Sequence, residues 1–209
     1  MNVQPIVEGH GDVQAVPVLL RRLLAEAGVF NIGVGRAIRR RLSELHSEIG
    51  VQKAVRLALL QPECACVLFL FDSEDSCPKE LAPQILGWAR QVAGSTPCYV
   101  VLAHREYETW FLAAIESVRG KCGIRDDATL LPDCERRRGA KEALEDYMPR
   151  NYSYHETTDQ ARLTAVFDMA LAYGRSRSFR QMVQSVGDIV MALGATCAPW
   201  PPANWTQGA

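Results

Sequence analysis

The chain has 209 residues, 48% of them apolar and 22% charged, with a net charge of −1. Those values exclude a fibrous, disordered or strongly basic protein and suit one soluble α/β domain, or one core with a helical appendage. Overall charge gives no sign of nucleic-acid binding, which leaves only a local basic patch to carry it. The start Met1-Asn2-Val3-Gln4-Pro5 lacks the basic segment and long apolar run of a signal peptide. No stretch approaches the ~20 apolar residues that span a bilayer, so no membrane association is expected. The seven cysteines, at 64, 66, 77, 98, 122, 134 and 197, form an odd set in largely apolar contexts. They read as reduced thiols of a cytoplasmic protein, and their spacing matches no zinc site.

Val3–Val7 is a short apolar strand that stops at Glu8-Gly9-His10-Gly11-Asp12. Val16, Leu19, Leu20, Leu23 and Leu24 recur at helical spacing, which predicts a helix over Val13–Ala27 with Gly28 as its stop. Pro17 is placed near the helix start, where its missing N–H costs least. Val29–Val34 reads as a second strand, followed by the basic tract Arg36–Arg41 and a helix over Ser43–Leu60. Cys66–Phe71 is apolar on both faces, as a central parallel strand requires, and ends at Asp72-Ser73-Glu74-Asp75. Pro78 opens a helix to about Val92, and Pro97–Ala103 is a further strand ending at His104-Arg105-Glu106. Tyr107–Val118 reads as helical, with Trp110 and Phe111 as core. Strand and helix alternate throughout, the signature of a parallel sheet.

Beyond this the pattern changes. Gly120–Arg138 is polar and aperiodic, so a loop or insertion is expected there. Gly139–Tyr147, Asp159–Tyr173 and Ser178–Leu193 follow as helices, with Asp159 and Ser178 as caps and Phe179 as core; the tail Pro199–Ala209 is irregular. The expected organisation is an α/β core over residues 1–119 and a helical part over 120–209 packed on it as one unit.

In an open parallel sheet, ligands bind beyond the C-terminal strand ends. Three expected strands end in acids: Glu8; Asp72, Glu74 and Asp75; and Glu106, with Glu108 nearby. Carboxylates held together repel one another and call for a cation or raised pKa values. Hard oxygen ligands suit Mg²⁺ or Mn²⁺. Asp12 and Asp75 read equally well as helix caps, whereas Glu8 and Asp72 directly follow apolar strands. Glu8–Asp12 also has the look of a glycine-rich phosphate loop, but without full G-x-G-x-x-G spacing or a Walker lysine. His10 is a candidate phosphate contact or an exposed loop histidine. Arg36–Arg41 and Arg136–Lys141 are basic runs that could meet a nucleic-acid backbone or merely form a solvated face.

Val7-Glu8-Gly9 at one strand end and Asp72-x-Glu74-Asp75 at another resemble the Toprim fold of topoisomerases, primases and OLD-group nucleases. That resemblance implies Mg²⁺ held by acidic residues and a general acid/base glutamate at Glu8. Asp72 matches the first aspartate, while Glu74 stands where a second is expected. The chain more closely resembles the bacterial domain-of-unknown-function 4276 family. The segments that carry this are Val7–Asp12, Phe71–Asp75, Arg105–Phe111, Gly139–Lys141, Asp159-Gln160 and Ser178-Phe179. It implies a Toprim-like α/β core with a helical C-terminal part, often encoded beside an ATPase and suspected in phage defence. The expected activity is a Mg²⁺-dependent nuclease or phosphodiesterase. Glu8, Asp72 and Glu74 would be catalytic, Asp75 and Glu106 further metal ligands, and His10, Arg105 and Lys141 phosphate contacts. A non-catalytic subunit that binds nucleic acid or a partner, and a small-molecule phosphohydrolase or nucleotidyl-transfer enzyme, are the alternatives.

Overall fold

The computed structural model describes residues 1–206. Its centre is a parallel sheet of β1 (Asn2–Val7), β2 (Gly33–Val34), β3 (Ile38–Arg39), β4 (Cys64–Asp72) and β5 (Cys98–Ala103). β4 lies on one side of β1, with β5 beyond it, while β2 and β3 pair successive stretches of β1's other side. The first crossover, through α1 (Asp12–Glu26), therefore leads to one side of β1. The second, through α2 (Leu42–Leu45) and α3 (Glu48–Leu59), carries the chain past β1 to β4, and α4 (Pro78–Ala93) leads on to β5. Winding reverses between β1 and β4. Their C-terminal ends form the topological switch point, the place where open α/β sheets bind ligands.

Alternation along the strands feeds two cores. Val3, Val7, Leu68, Leu70 and Val101 face the layer that contains α1, while Ile6, Val67, Phe69, Phe71 and Leu102 face α3 and α4. The α1 layer is completed by α5 (Thr109–Ala113), a 3-10 turn at Ile115–Val118, α6 (Ala140–Glu145), a π turn at Glu156–Gln160, α7 (Ala161–Val166), α8 (Met169–Arg175) and α9 (Arg177–Ala192). α7 and α9 pack on α1, and α9 also on β5. Trp110, Phe111, Phe167 and Phe179 are fully buried and interlock edge-to-face, with ring centroids 5.2, 5.5 and 5.6 Å apart. The C-terminal helices thus share their core with the sheet.

Several local expectations are corrected. The second strand is only Gly33–Val34, and Val29 and Ile32 point into the core instead. A further strand, β3, lies inside the basic tract, because Arg36's carbonyl accepts from the buried Gln4 side chain (2.6 Å) between the two short pairings. The helix expected over 43–60 is broken at Ser47, whose extended backbone and hydroxyl (3.2 Å from Gly50 N) start α3 afresh. Pro17 lies in the second turn of α1 and the helix continues through it, held by its buried leucine stripe. The helix expected over 107–118 is α5 followed by the 3-10 turn, and that over 159–173 is split at Phe167-Asp168, where Asp168 caps α8. Ser176 rather than Ser178 caps α9. The tail contains α10 (Ala203–Thr206), and residues 207–209 of the expected irregular segment lie outside the described residues. No helix among the described residues is long and apolar enough to cross a membrane.

Candidate functional site

β1 and β4 deliver Glu8 and Asp72 to the switch point from adjacent strands. Alternation along β4 turns Asp72 to the α1 side, where its Oδ1 accepts the Tyr107 N–H at 2.8 Å. Two further carboxylates join it there. Asp12, in the first turn of α1, is buried and accepts from Gly9 N (3.0 Å) and Gln160 Nε2 (2.8 Å). Glu108, just before α5, is 1% exposed; its Oε1 accepts from the Tyr154 hydroxyl at 2.9 Å, and its Oε2 has no partner. Lys141 is the cation among them, ion-paired with Glu156 of the π turn. That turn presses on the Glu8–Asp12 loop. A Cβ on Gly11 would come within 2.0 Å of Gln160 Oε1 and 2.6 Å of the Glu156 carbonyl oxygen, so only glycine fits.

The charges are unbalanced. Burial pushes the Asp72 carboxyl well above the ordinary aspartate range, reinforced by Asp12 and Glu108 and only partly opposed by Lys141. Asp12 is also raised, by burial first and then by the charges of Glu8 and Glu156. Burial lifts Glu108 to about 7 despite Lys141 and the Tyr154 hydrogen bond. For Lys141 burial acts downward, but Glu108, Glu156 and Asp72 outweigh it and hold the ammonium above its ordinary value. Acids perturbed by burial and by one another at the switch point of an open sheet make a candidate functional site.

Beside this cluster a cleft of about 430 Å³ is lined by Asp72, Glu74, Asp75, Arg105, Arg138 and Lys141, among others. Two of its lining residues are non-glycines in the left-handed region, Glu74 (φ 47°) and Arg105 (φ 63°), tied together by a Glu74 N–H to Arg105 carbonyl bond of 3.0 Å. Such backbone costs roughly 1–3 kcal/mol per residue and concentrates at ligand sites. Asp75 pairs with both Arg105 (3.3 Å) and Arg138 (2.7 Å).

Of the residues singled out from sequence, Glu8, Asp72, Glu74, Asp75, Arg105 and Lys141 fall on this one edge. His10 is exposed on the adjoining loop, its Nε2 2.7 Å from Arg39 Nη2. Glu106 lines the cleft, but both its oxygens are engaged, accepting from the backbone N–H groups of Gly139 (3.0 Å), Ala140 (3.1 Å) and Lys141 (3.2 Å) at the start of α6. The neighbour that faces the acidic cluster is Glu108, which sequence reasoning noted but did not choose. Asp12 belongs to the cluster rather than serving as a plain cap, since Gly11 occupies the cap position. Asp159, expected as a helix cap, lies instead inside the π turn, buried, accepting from His155 N and the Tyr152 hydroxyl at 3.0 Å each.

Among the described residues the buried side-chain atoms without a hydrogen-bond partner are Arg39 Nε, Arg40 Nε, Arg105 Nε and Glu108 Oε2. Arg39 is the last residue of β3, Arg40 follows it, and Arg105 and Glu108 follow β5. Buried polar groups are nearly always paired, so orphans that collect on one edge point to something that binds there.

A profile described as Domain of unknown function (DUF4276) matches residues 7–187. The chain belongs to this family. No curated protein and no solved structure matches it. The matched span begins at the end of β1 and closes within α9, so it takes in the switch point, the cleft and the helices that bury Asp12 and Glu108.

Proposed function

We propose that this DUF4276 chain is a Toprim-like, metal-dependent phosphodiesterase that acts on nucleic acid at the β1–β4 switch point. The observation that carries this reading is the under-neutralised carboxylate set there, with Glu108 Oε2 unpartnered. A hard divalent cation fits that set by chemistry: the donors are all oxygens, and raised acids bind a cation by giving up protons. Among the described residues no three His, Cys, Asp or Glu side chains form a ready metal cage. Mg²⁺ commonly takes one or two carboxylates, keeps several waters and shares the substrate's phosphate. Glu8 and Asp72 are the pair that would hold it, with Asp12 and Glu108 behind them. Bound there, the ion would polarise the scissile phosphate and lower the pKa of an attached water.

The chain's own groups divide the remaining work. Glu8, half-buried just past the end of β1, would serve either as that metal ligand or as the base that takes a proton from an attacking water. Burial lifts Glu108 to about 7, so it would hold a proton in the metal-free site and release it as a cation binds. Arg105 and Lys141 offset phosphate charge from the cleft side. Seven free thiols suit a reducing, cytoplasmic setting. Because the chain's net charge is only −1, a partner ATPase in the phage-defence role would supply part of the DNA affinity.

The test is incubation of purified protein with labelled DNA, RNA and nucleotides, with Mg²⁺ or Mn²⁺, beside Glu8→Gln and Asp72→Asn. Metal-dependent cleavage of polymer should fall at least ~100-fold in both variants, the low end of what a positioned acid or base supplies. Turnover of nucleotides alone would redirect the reading to small-molecule phosphate chemistry. No turnover, together with no Mn²⁺ uptake by calorimetry, would leave a binding subunit.

A further inference from the structure

A polynucleotide differs from a nucleotide in carrying phosphates on both sides of the bond that is cut. The cleft with Arg105, Arg138 and Lys141 lies on the β5 side of the acidic cluster. On the opposite side, β3 supplies Arg39 in register with Val7, and the Arg40 N–H bonds the Val7 carbonyl at 2.8 Å. Both arginines therefore leave the backbone beside the strand end that delivers Glu8. Each has a buried Nε with no partner, and neither forms an ion pair among the described residues. Arg105 and Arg138, by contrast, share Asp75. Arg39 Nη2 instead meets His10 Nε2 at 2.7 Å. A guanidinium can only donate, so the ring nitrogen accepts and the Arg39 charge is left unneutralised. Two unneutralised guanidinium groups with free N–H groups suit a phosphate oxygen.

We propose that Arg39, Arg40 and His10 form a second phosphate subsite, and that the substrate is a polynucleotide whose backbone crosses the sheet edge from this subsite to Arg105 and Arg138. The flanks are three inter-strand steps apart, β3 to β1 to β4 to β5, or about 14 Å at ~4.8 Å per step. At ~3.4 Å of rise per nucleotide that is roughly four nucleotides of one strand, beyond the reach of a mononucleotide. The proposal rests on the phosphodiesterase reading for what happens at the centre, but its own content is binding.

It is tested without turnover, in chelator, by fluorescence anisotropy of a short labelled oligothymidylate across a salt series. The Arg39→Gln/Arg40→Gln double variant should bind at least ten-fold more weakly. The slope of log affinity against log salt should become shallower by about 1.4, two contacts at ~0.7 each for single strands. Arg39→Lys/Arg40→Lys should keep the slope, which separates lost charge from misfolding, and the exposed Arg36→Gln should match the wild type. Thymidine monophosphate should bind the wild type and the double glutamine variant alike. Unchanged affinity and slope in the glutamine variant, or no oligothymidylate binding by the wild type, overturns the proposal. Arginine-dependent binding without metal-dependent cleavage would instead sink the catalytic reading and leave the subsite standing. Cleavage that ignores both arginines would do the reverse.

Discussion

Two sets of buried or half-buried glutamate and aspartate side chains behave in opposite ways. Glu106 and Glu135 end on backbone. The first accepts three N–H groups at the start of α6, and the second accepts from Arg177 N (2.9 Å), Ser178 N (2.9 Å) and the Ser176 and Ser178 hydroxyls (2.6 and 2.7 Å) at the start of α9. Burial alone would raise Glu135, yet these donors win and hold it below its ordinary value. Asp72 and Glu108 have one donor each and Asp12 one on each oxygen, against three on Glu106 and four on Glu135, and all three are raised. Hydrogen bonding to the charged form separates a carboxylate that builds structure from one left available for a proton or a cation.

The strongest way to break this contrast is Glu135→Ala. It removes a charged acceptor from four donors, three of them on the buried Ser176 and Ser178, and leaves the Trp110 indole N–H on Ser178 as that hydroxyl's remaining strong contact. Charge-assisted bonds contribute about 1.5–3 kcal/mol and a cap about 1, so a loss of roughly 3 kcal/mol is expected in urea unfolding at neutral pH. Glu135's pKa is lowered in the fold, so its contribution is present above the unfolded carboxylate pKa and fades as pH falls through the folded one. Cleavage per folded molecule should not change. Loss of activity at full stability would move Glu135 into the site.

Glu106→Gln is the next step down. One oxygen still accepts, but the second is replaced by an amide N–H facing the Lys141 N–H, and the negative charge at α6's start is gone. A cost of about 1–2 kcal/mol is expected, with cleavage retained. If cleavage is lost while stability holds, Glu106 returns to the ligand role its sequence position suggested.

That position shows where sequence was legible and where it was not. Val3–Val7 is a short apolar run and Cys66–Phe71 is apolar on both faces, and each is followed directly by an acid, so sequence alone places Glu8 and Asp72 on a shared edge. Period-two logic fails after β5, because Arg105 takes a left-handed conformation that nothing in its residue type announces. The turn decides that Glu108, three residues on, faces the cluster while Glu106 reaches α6. Asp12 was ambiguous because its burial is completed by Gln160, 148 residues away in sequence. β3 was invisible because a two-residue strand in an arginine tract has no hydrophobic pattern, and a glutamine side chain helps to hold it in place.

Glu108→Gln has the smallest effect at low pH and the most informative slope. Glu108 titrates near 7 in the folded chain against an ordinary value of 4.5. Between those values the folded chain holds a proton that the unfolded chain has released, so stability falls as pH rises and the loss is complete above about 7. Asp12 and Asp72 shift the same way and add to the fall. Glutamine keeps the acceptor for the Tyr154 hydroxyl and places an uncharged amide where Oε2 has no partner. Melting temperatures of the two proteins should nearly coincide at pH 5. The wild type should then decline toward pH 8 more steeply than the variant, leaving the variant the more stable of the two at pH 8. Equal slopes would mean that Glu108 does not carry the proton, and that being short of donors does not by itself set this cluster apart from Glu106 and Glu135.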